Sequence, residues 1–281
     1  MSMVIGVDTH KQTHSAALLS ELGVVESGLE VAASAAGYRQ LLAWARSNSA
    51  SRIWVVEGTG SYGAGLTTYL SEQNEVVYEG DHPKRSWRGP AGKSDQLDAI
   101  WVAKEALAHR RPSLPRARGE RELLRVLLTA RNGAVEAEKQ GLNQLYALVV
   151  SAPEPLRQRL GNLRAAALVQ ACLRLRSSAD QESAVTAATL RSVARRVSAL
   201  ATEAAGYERQ IGKLVSALAP QLLALKGVGP LSAAQFLVSW SHAGRLRDHN
   251  AFAKLAGVAP LPASSGRIQR HRLNRLGDRQ L

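Results

Sequence analysis

Two aspartates three positions apart, Asp95 and Asp98 in the stretch GKSDQLDA, form the spacing in this chain that carries the most chemistry. Residues i and i+3 share a helix face, so on a helix both carboxylates address one point. Asp8 ends the apolar run MVIGVD, and Glu57 ends the apolar run RIWVVE. Strand ends in a mixed α/β sheet commonly line one crevice, which allows the four carboxylates to converge. Two like charges about 4 Å apart repel by roughly 4 kcal/mol at a surface-like dielectric. Such a cluster therefore takes up protons or binds a cation. Hard oxygen donors select Mg²⁺, with Mn²⁺ as the alternative. A pair of such ions about 3.5–4 Å apart is the usual clamp for in-line attack at a phosphodiester. Each residue also has a purely structural explanation. Ser94 or Asp95 can cap the helix and Asp98 can complement its positive first turn. Asp8 can sit in a turn, and Glu57 can satisfy backbone donors of the following Gly-rich loop. Singly these explanations suffice, whereas the four residues jointly point to a metal site.

A second group lies near the end of the chain. The stretch ASSGRIQRHR sets Ser264 and Ser265 before Gly266 and a train of Arg267, Arg270, His271 and Arg272. A serine needs activation to act as a nucleophile, and neighbouring cations can both bind a phosphate and stabilise developing charge. Ser-Gly ahead of basic residues is also common in surface loops. In LKGVGPLSAA, Gly227 and Gly229 flank one apolar residue just before a helix. Such a turn can present backbone N–H groups to a DNA phosphate without reading bases, and it serves equally well as a tight helix–helix turn. Lys11, His10 and His14 near Asp8, and Lys93 ahead of Asp95, are further candidate phosphate contacts. Solvated polar residues at a strand end account for the first three as well.

The elements that must hold these residues follow from periodicity. MVIGVD, HSAALLS and VVESGLEV read as successive strands with the turn ELG between the last two. AAGYRQLLAWARSN has helical apolar spacing, RIWVVE is a buried strand, YGAGLTTYLSEQ a helix and EVVYE another strand. A polar loop, DHPKRSWRGPAGK, then precedes the helix DQLDAIWVAKEALAH. The order βββ, α, β, α, β, α predicts an antiparallel edge on a partly parallel sheet, an α/β fold. From about Glu120 to Ala219 apolar residues recur at three- and four-residue steps. Two long helices or an antiparallel hairpin of coiled-coil character fit, broken near SAPEP, as do ordinary bundle helices. The remainder reads as short helices around the Gly-x-Gly turn, one more helix in RDHNAFAKLAGVAP, and a basic tail.

Composition bounds the partners. With 45% apolar and 21% charged residues the chain is globular, and no apolar run approaches the ~18 residues of a membrane span. The N-terminus lacks a secretory pattern, so a cytoplasmic protein is expected. The lone cysteine, Cys172, precludes an internal disulfide. Charge is uneven: residues 1–110 hold 10 basic against 12 acidic residues, while residues 111–281 hold 26 against 11, a balance of +15. That asymmetry predicts a polyanionic partner, nucleic acid by default, with a basic solubility surface as the bland alternative. At 5% aromatic residues, nothing marks a stacking platform for single strands.

In order along the chain, GVDTHKQTH, VEGTGSYG, GKSDQLDA, LKGVGPLSAA and LAGVAPLPASSG resemble the motifs of the DEDD transposases of bacterial insertion sequences. That group includes the pilin-gene invertase and the bridge-RNA-guided recombinases. The resemblance implies a RuvC-like, ribonuclease H-like catalytic domain over residues 1–112, a helical coiled-coil segment over 113–219, and a small, mainly helical transposase domain with a helix-hairpin-helix-like turn over 220–281. It assigns the acidic tetrad to Asp8, Glu57, Asp95 and Asp98 as Mg²⁺ ligands, and the nucleophile to Ser265, with Ser264 beside it as the alternative register. By the same resemblance Ser265 attacks a DNA phosphodiester to form a phosphoserine link. The acidic cluster of a partner subunit completes a composite site in a dimer or tetramer, and a structured guide RNA selects target and donor DNA. Lys11, Lys93, Gly227, Gly229, Arg267, Arg270 and Arg272 are the expected nucleic-acid contacts. Members of the family usually continue past RLGDRQL into further helices, so an incomplete C-terminal domain is expected. Two other readings stand beside this one: a RuvC-like nuclease or junction resolvase that uses water as the nucleophile, and a truncated, inactive relative that only binds nucleic acid.

Overall fold

The computed structural model describes residues 3–80, 94–108, 113–275, 277–278 and 280–281. Strands β1 (Met3–Thr9), β2 (Thr13–Leu19) and β3 (Val25–Ala32) are followed by helix α1 (Ala35–Asn48), β4 (Arg52–Glu57), α2 (Ala64–Glu72), β5 (Val77–Gly80) and α3 (Asp95–Ala108). The sheet order is β3-β2-β1-β4-β5. β1, β2 and β3 form an antiparallel meander, while β1, β4 and β5 run parallel. This is the mixed sheet expected from the element order.

β1 and β4 read as continuous apolar runs because both faces of the sheet are covered. Alternate residues serve opposite cores. Ile5, Val7, Ala16, Leu18, Trp54 and Val56 pack with Leu41, Leu42, Leu66 and Leu70 of α1 and α2. Val4, Ala17, Leu19 and Val55 pack with Ala99, Val102 and Ala103 of α3. Gly6 lies on the α3 face, where an added Cβ would stand 2.1 Å from the Ala99 carbonyl oxygen. Glycine there lets α3 lie directly on β1. The opposite end of β4 is pinned by Glu75, which accepts hydrogen bonds from Arg52 Nε (2.8 Å) and Trp54 Nε1 (2.9 Å).

Residues from Arg118 to Ser239 make a second compact unit, joined by 278–281. It holds α4 (Glu120–Val150), α5 (Glu154–Leu160), α6 (Ala165–Leu173), α7 (Gln181–Leu218), α8 (Pro220–Leu223) and α9 (Pro230–Trp240). α4 and α7 are antiparallel neighbours. Arg131 pairs with Glu208 at 2.8 Å, and Arg196 donates to Gln144 at 2.5 Å, so numbers fall on one helix as they rise on the other. Gly141 sits against Val197, whose Cγ2 would be 2.7 Å from an added Cβ. The break near SAPEP is larger than a turn, because α5 and α6 lie beyond it and close an apolar core with α4 and α7 around Leu145, Leu160, Leu168 and Leu190.

Residues Trp240–Gly277 belong to the same compact unit as the sheet. They carry α10 (His249–Leu255) and the two-stranded hairpin of β6 (Leu261–Pro262) and β7 (His271–Arg272). Arg245 pairs with Glu79 of β5 at 2.7 Å, and the Ala117 amide donates to Ser241 Oγ at 2.9 Å.

Candidate functional site

Asp8 and Glu57 are brought together by strand register. Val7 pairs with Val56 in the parallel β1–β4 ladder, so Asp8 and Glu57, one step further, are neighbours at the carboxyl ends of adjacent strands. By alternation both belong to the face that carries Val4, Gly6 and Val55, the face under α3. Thr9 Oγ1 donates to the Glu57 carbonyl oxygen at 2.9 Å and ties the two strand ends. α3 supplies the other pair. Its buried stripe is Asp98, Ala99, Val102 and Ala103, so Asp98 is the polar head of a stripe aimed at the sheet. Ser94 caps the helix: its Oγ accepts from the Leu97 amide at 3.3 Å and its carbonyl oxygen from the Asp98 amide at 3.1 Å. The Gln96 side chain donates to the Ala16 carbonyl oxygen at 3.3 Å and fixes the first turn over β2. The cap is thus Ser94 rather than Asp95.

His10, just past β1, completes the cluster. Its Nδ1 lies 3.6 Å from Asp8 Oδ2 and 3.8 Å from Asp95 Oδ2. Ligand atoms of Asp8, His10 and Asp95 all fall within 4.8 Å of one another. Asp8 Oδ2 and His10 Nδ1 are buried without a hydrogen-bond partner among the described residues. Burial pushes the Asp8 carboxyl above its ordinary value, His10 draws it back, and the Asp98 and Asp95 carboxylates push it further up. Buried, mutually repelling carboxylates with an orphaned oxygen are a donor set that a divalent cation would satisfy.

The serines stand at the tip of the β6–β7 hairpin. Ser265 and Ile268 exchange both backbone hydrogen bonds, each at 3.1 Å, around Gly266 and Arg267. Gly266 has φ +57° at the first central position, as a II′ turn demands. The Ser264 hydroxyl is engaged by the Arg270 backbone, accepting from its amide at 3.2 Å. Ser265, Arg267, Arg270 and Arg272 are exposed on this hairpin. These hydrogen bonds of Ser264 and Ser265 are internal to the hairpin, whereas the acidic cluster is assembled by β1, β4 and α3.

Residues 5–152 match the family model of the IS110 DEDD type, described as a transposase. Residues 219–281 match a second model, the transposase IS116/IS110/IS902 family. The chain belongs to the IS110 family of DEDD transposases. The first match spans more than half of the chain and includes all four acidic residues; the second includes the Gly227–Gly229 turn and Ser265. No curated protein matches the chain. Membership makes this transposase an enzyme of DNA cleavage and recombination, with DNA as substrate, in a family that normally uses a divalent metal.

Other expected contacts of the transposase fall in varied places. Lys11 is exposed in the β1–β2 turn. Lys93 lies outside the described residues. Gly227 has φ +87°, Gly229 accepts from the Ala233 amide at the start of α9, and both are exposed with open space at the Cβ position. His14 departs from the sequence reading. It alternates with Ala16 and Leu18 onto the opposite face of the sheet, where it is fully buried and stacked on Tyr38 at 5.7 Å. Burial lowers its imidazole pKa, and it cannot meet a phosphate beside Asp8. No helix among the described residues is long and apolar enough to cross a membrane.

Proposed function

We propose that this transposase is a DNA recombinase that cleaves and exchanges strands with Ser265 as nucleophile and Asp8, Glu57, Asp95 and Asp98 as ligands of Mg²⁺ or Mn²⁺. The observation that carries the proposal is the convergence of Asp8 and Asp95 with a buried, unsatisfied Asp8 oxygen at the carboxyl ends of the parallel strands. The cation, when bound, supplies positive charge to phosphoryl oxygens. Ser265 Oγ forms a bond to phosphorus while the bond to the neighbouring deoxyribose oxygen breaks; the hydroxyl proton ends on that leaving oxygen, and a phosphoserine link remains. Strand exchange is the reverse reaction with a hydroxyl end from another strand. Arg267, Arg270 and Arg272 hold the phosphate near the hairpin tip, Lys11 holds it beside the acidic cluster with Lys93 as a further phosphate contact, and the amides around Gly227 and Gly229 grip the backbone.

In this reading residues 1–112 act as a RuvC-like domain, 113–219 as a coiled coil and 220–281 as the transposase domain with a helix-hairpin-helix-like turn. The coiled coil is supported by buried Leu190, Val197, Ala204 and Ile211, which recur at heptad spacing on α7. A homodimer, or a tetramer at synapsis, brings Ser265 of one subunit to the acidic cluster of another, and a structured guide RNA selects both DNA sites. Asp98→Ala and Ser265→Ala each abolish strand exchange, by at least about 100-fold as expected for loss of a catalytic group, while DNA or RNA binding persists. Exchange at the wild-type rate in either variant refutes the assignment. Because the acidic cluster is built without the serine, a nuclease that uses water is the second reading, and a covalent protein–DNA adduct on Ser265 excludes it.

A further inference from the structure

Within this metal-binding reading, on which the inference rests, we propose that His10 Nδ1 is a ligand of the same cation, making the donor set mixed oxygen and nitrogen and biasing it toward Mn²⁺ over Mg²⁺. The acidic tetrad alone would be an all-oxygen site. His10 changes that through position: it lies just past the end of β1, two residues after Asp8, with its ring against both aspartates. Its Nδ1 stands 3.6 Å from Asp8 Oδ2 and 3.8 Å from Asp95 Oδ2. Both separations exceed the ~2.7–3.2 Å of an N–H···O hydrogen bond. Ligand atoms of Asp8, His10 and Asp95 nevertheless all lie within 4.8 Å of one another, close enough to be held by one cation.

The missing hydrogen bonds of these same atoms give a second indication. Asp8 is only 5% exposed, yet its Oδ2 has no hydrogen-bond partner among the described residues, and neither has the buried His10 Nδ1. Polar atoms buried in this way are ordinarily satisfied. Two of them facing one point, with Asp95 Oδ2 completing the triangle, are satisfied together by one cation. Imidazole nitrogen is a good donor to transition ions and a poor one to Mg²⁺, which demands oxygen ligands and retains water. Of the two ions that suit the carboxylates, Mn²⁺ gains more from the nitrogen.

The test is pulsed EPR on the full chain loaded with MnCl₂, comparing wild type, His10→Ala and Asp8→Asn. Wild type is expected to show ¹⁴N coupling to bound Mn²⁺, and His10→Ala to lose it. Loss of even an outer-shell partner weakens metal binding about 10–100-fold, so His10→Ala is expected to weaken Mn²⁺ binding by at least about tenfold, with a smaller change for Mg²⁺ in calorimetric titration. Mn²⁺ binding that depends on Asp8 but shows no ¹⁴N coupling, or a coupling that survives in His10→Ala, overturns the nitrogen ligand and leaves the acidic site standing. Absence of any Asp8-dependent Mn²⁺ binding overturns both. Circular dichroism of each variant separates ligand loss from unfolding.

Discussion

Two buried carboxylates in the sheet unit are driven in opposite directions. For Glu75, burial alone would raise the pKa, but hydrogen bonds from Arg52 and Trp54, the Arg52 charge and the Arg46 contact outweigh it and hold the group below its ordinary 4.5. For Asp8, burial is reinforced by Asp98 and Asp95 and only partly opposed by His10, so the group is held high. The first pattern stabilises a fold; the second costs stability, as functional sites often do. The Glu75 network therefore contributes stability that is fully present above the ordinary carboxylate value. It is lost as pH falls through the lowered native one, where the folded chain must protonate a paired group. Glu75→Gln is expected to cost roughly 2 kcal/mol at pH 7, the scale of charge-assisted hydrogen bonds. Denaturant midpoints of variant and wild type should converge as the buffer is taken below pH 4.5. A gap that is unchanged by acid would show that the glutamate acts through packing alone.

α3 has two tasks, and Ser94 links them. Capping stiffens the first turn, and that turn carries Asp95 and Asp98. Ser94→Ala is expected to lower stability by about 1 kcal/mol, the usual cost of a lost N-cap. On the proposed metal-site reading the loss should be larger in the presence of Mn²⁺, since a cation held by the two aspartates adds its own stabilisation only when they are in place. Thermal melts with and without MnCl₂ measure both, and an equal loss in the two conditions would separate the cap from the site. The start of α3 was legible because its signal is local, a Ser before Asp-x-x-Asp; that Ser94 rather than Asp95 is the cap needed the structure. The five-stranded sheet was legible too, since its strands are apolar runs punctuated by turn residues. α5 and α6 were hidden because helical spacing marks helices without marking where chain direction changes. The β6–β7 ladder pairs only two residues per strand, too few for a period to register. His10 and His14 were indistinguishable as polar residues near a strand end. Position relative to the sheet separates them: His10 lies past the end of β1 beside Asp8, whereas His14 inside β2 alternates onto the opposite, buried face.

At the scale of the whole chain, charge rather than shape argues for the substrate. The first 110 residues carry slightly more acid than base, although on the proposed reading a polyanion approaches the acidic cluster they contain. A cation reduces that local repulsion, while the excess of +15 over residues 111–281 supplies the long-range attraction. The exposed Arg267, Arg270 and Arg272 place part of this charge within a few residues of Ser265. If they meet phosphates, each contact releases counterions. The slope of log Kobs against log salt for duplex DNA should then fall in magnitude by about 0.9 per arginine removed, close to 2.7 for the triple alanine variant. Affinity should weaken similarly for unrelated sequences, because phosphate contacts carry no base identity. Filter binding over a salt series measures the slope directly. A slope unchanged in the triple variant would move the DNA backbone away from the hairpin and leave Ser265 without the cations that a phosphoryl-transfer role requires.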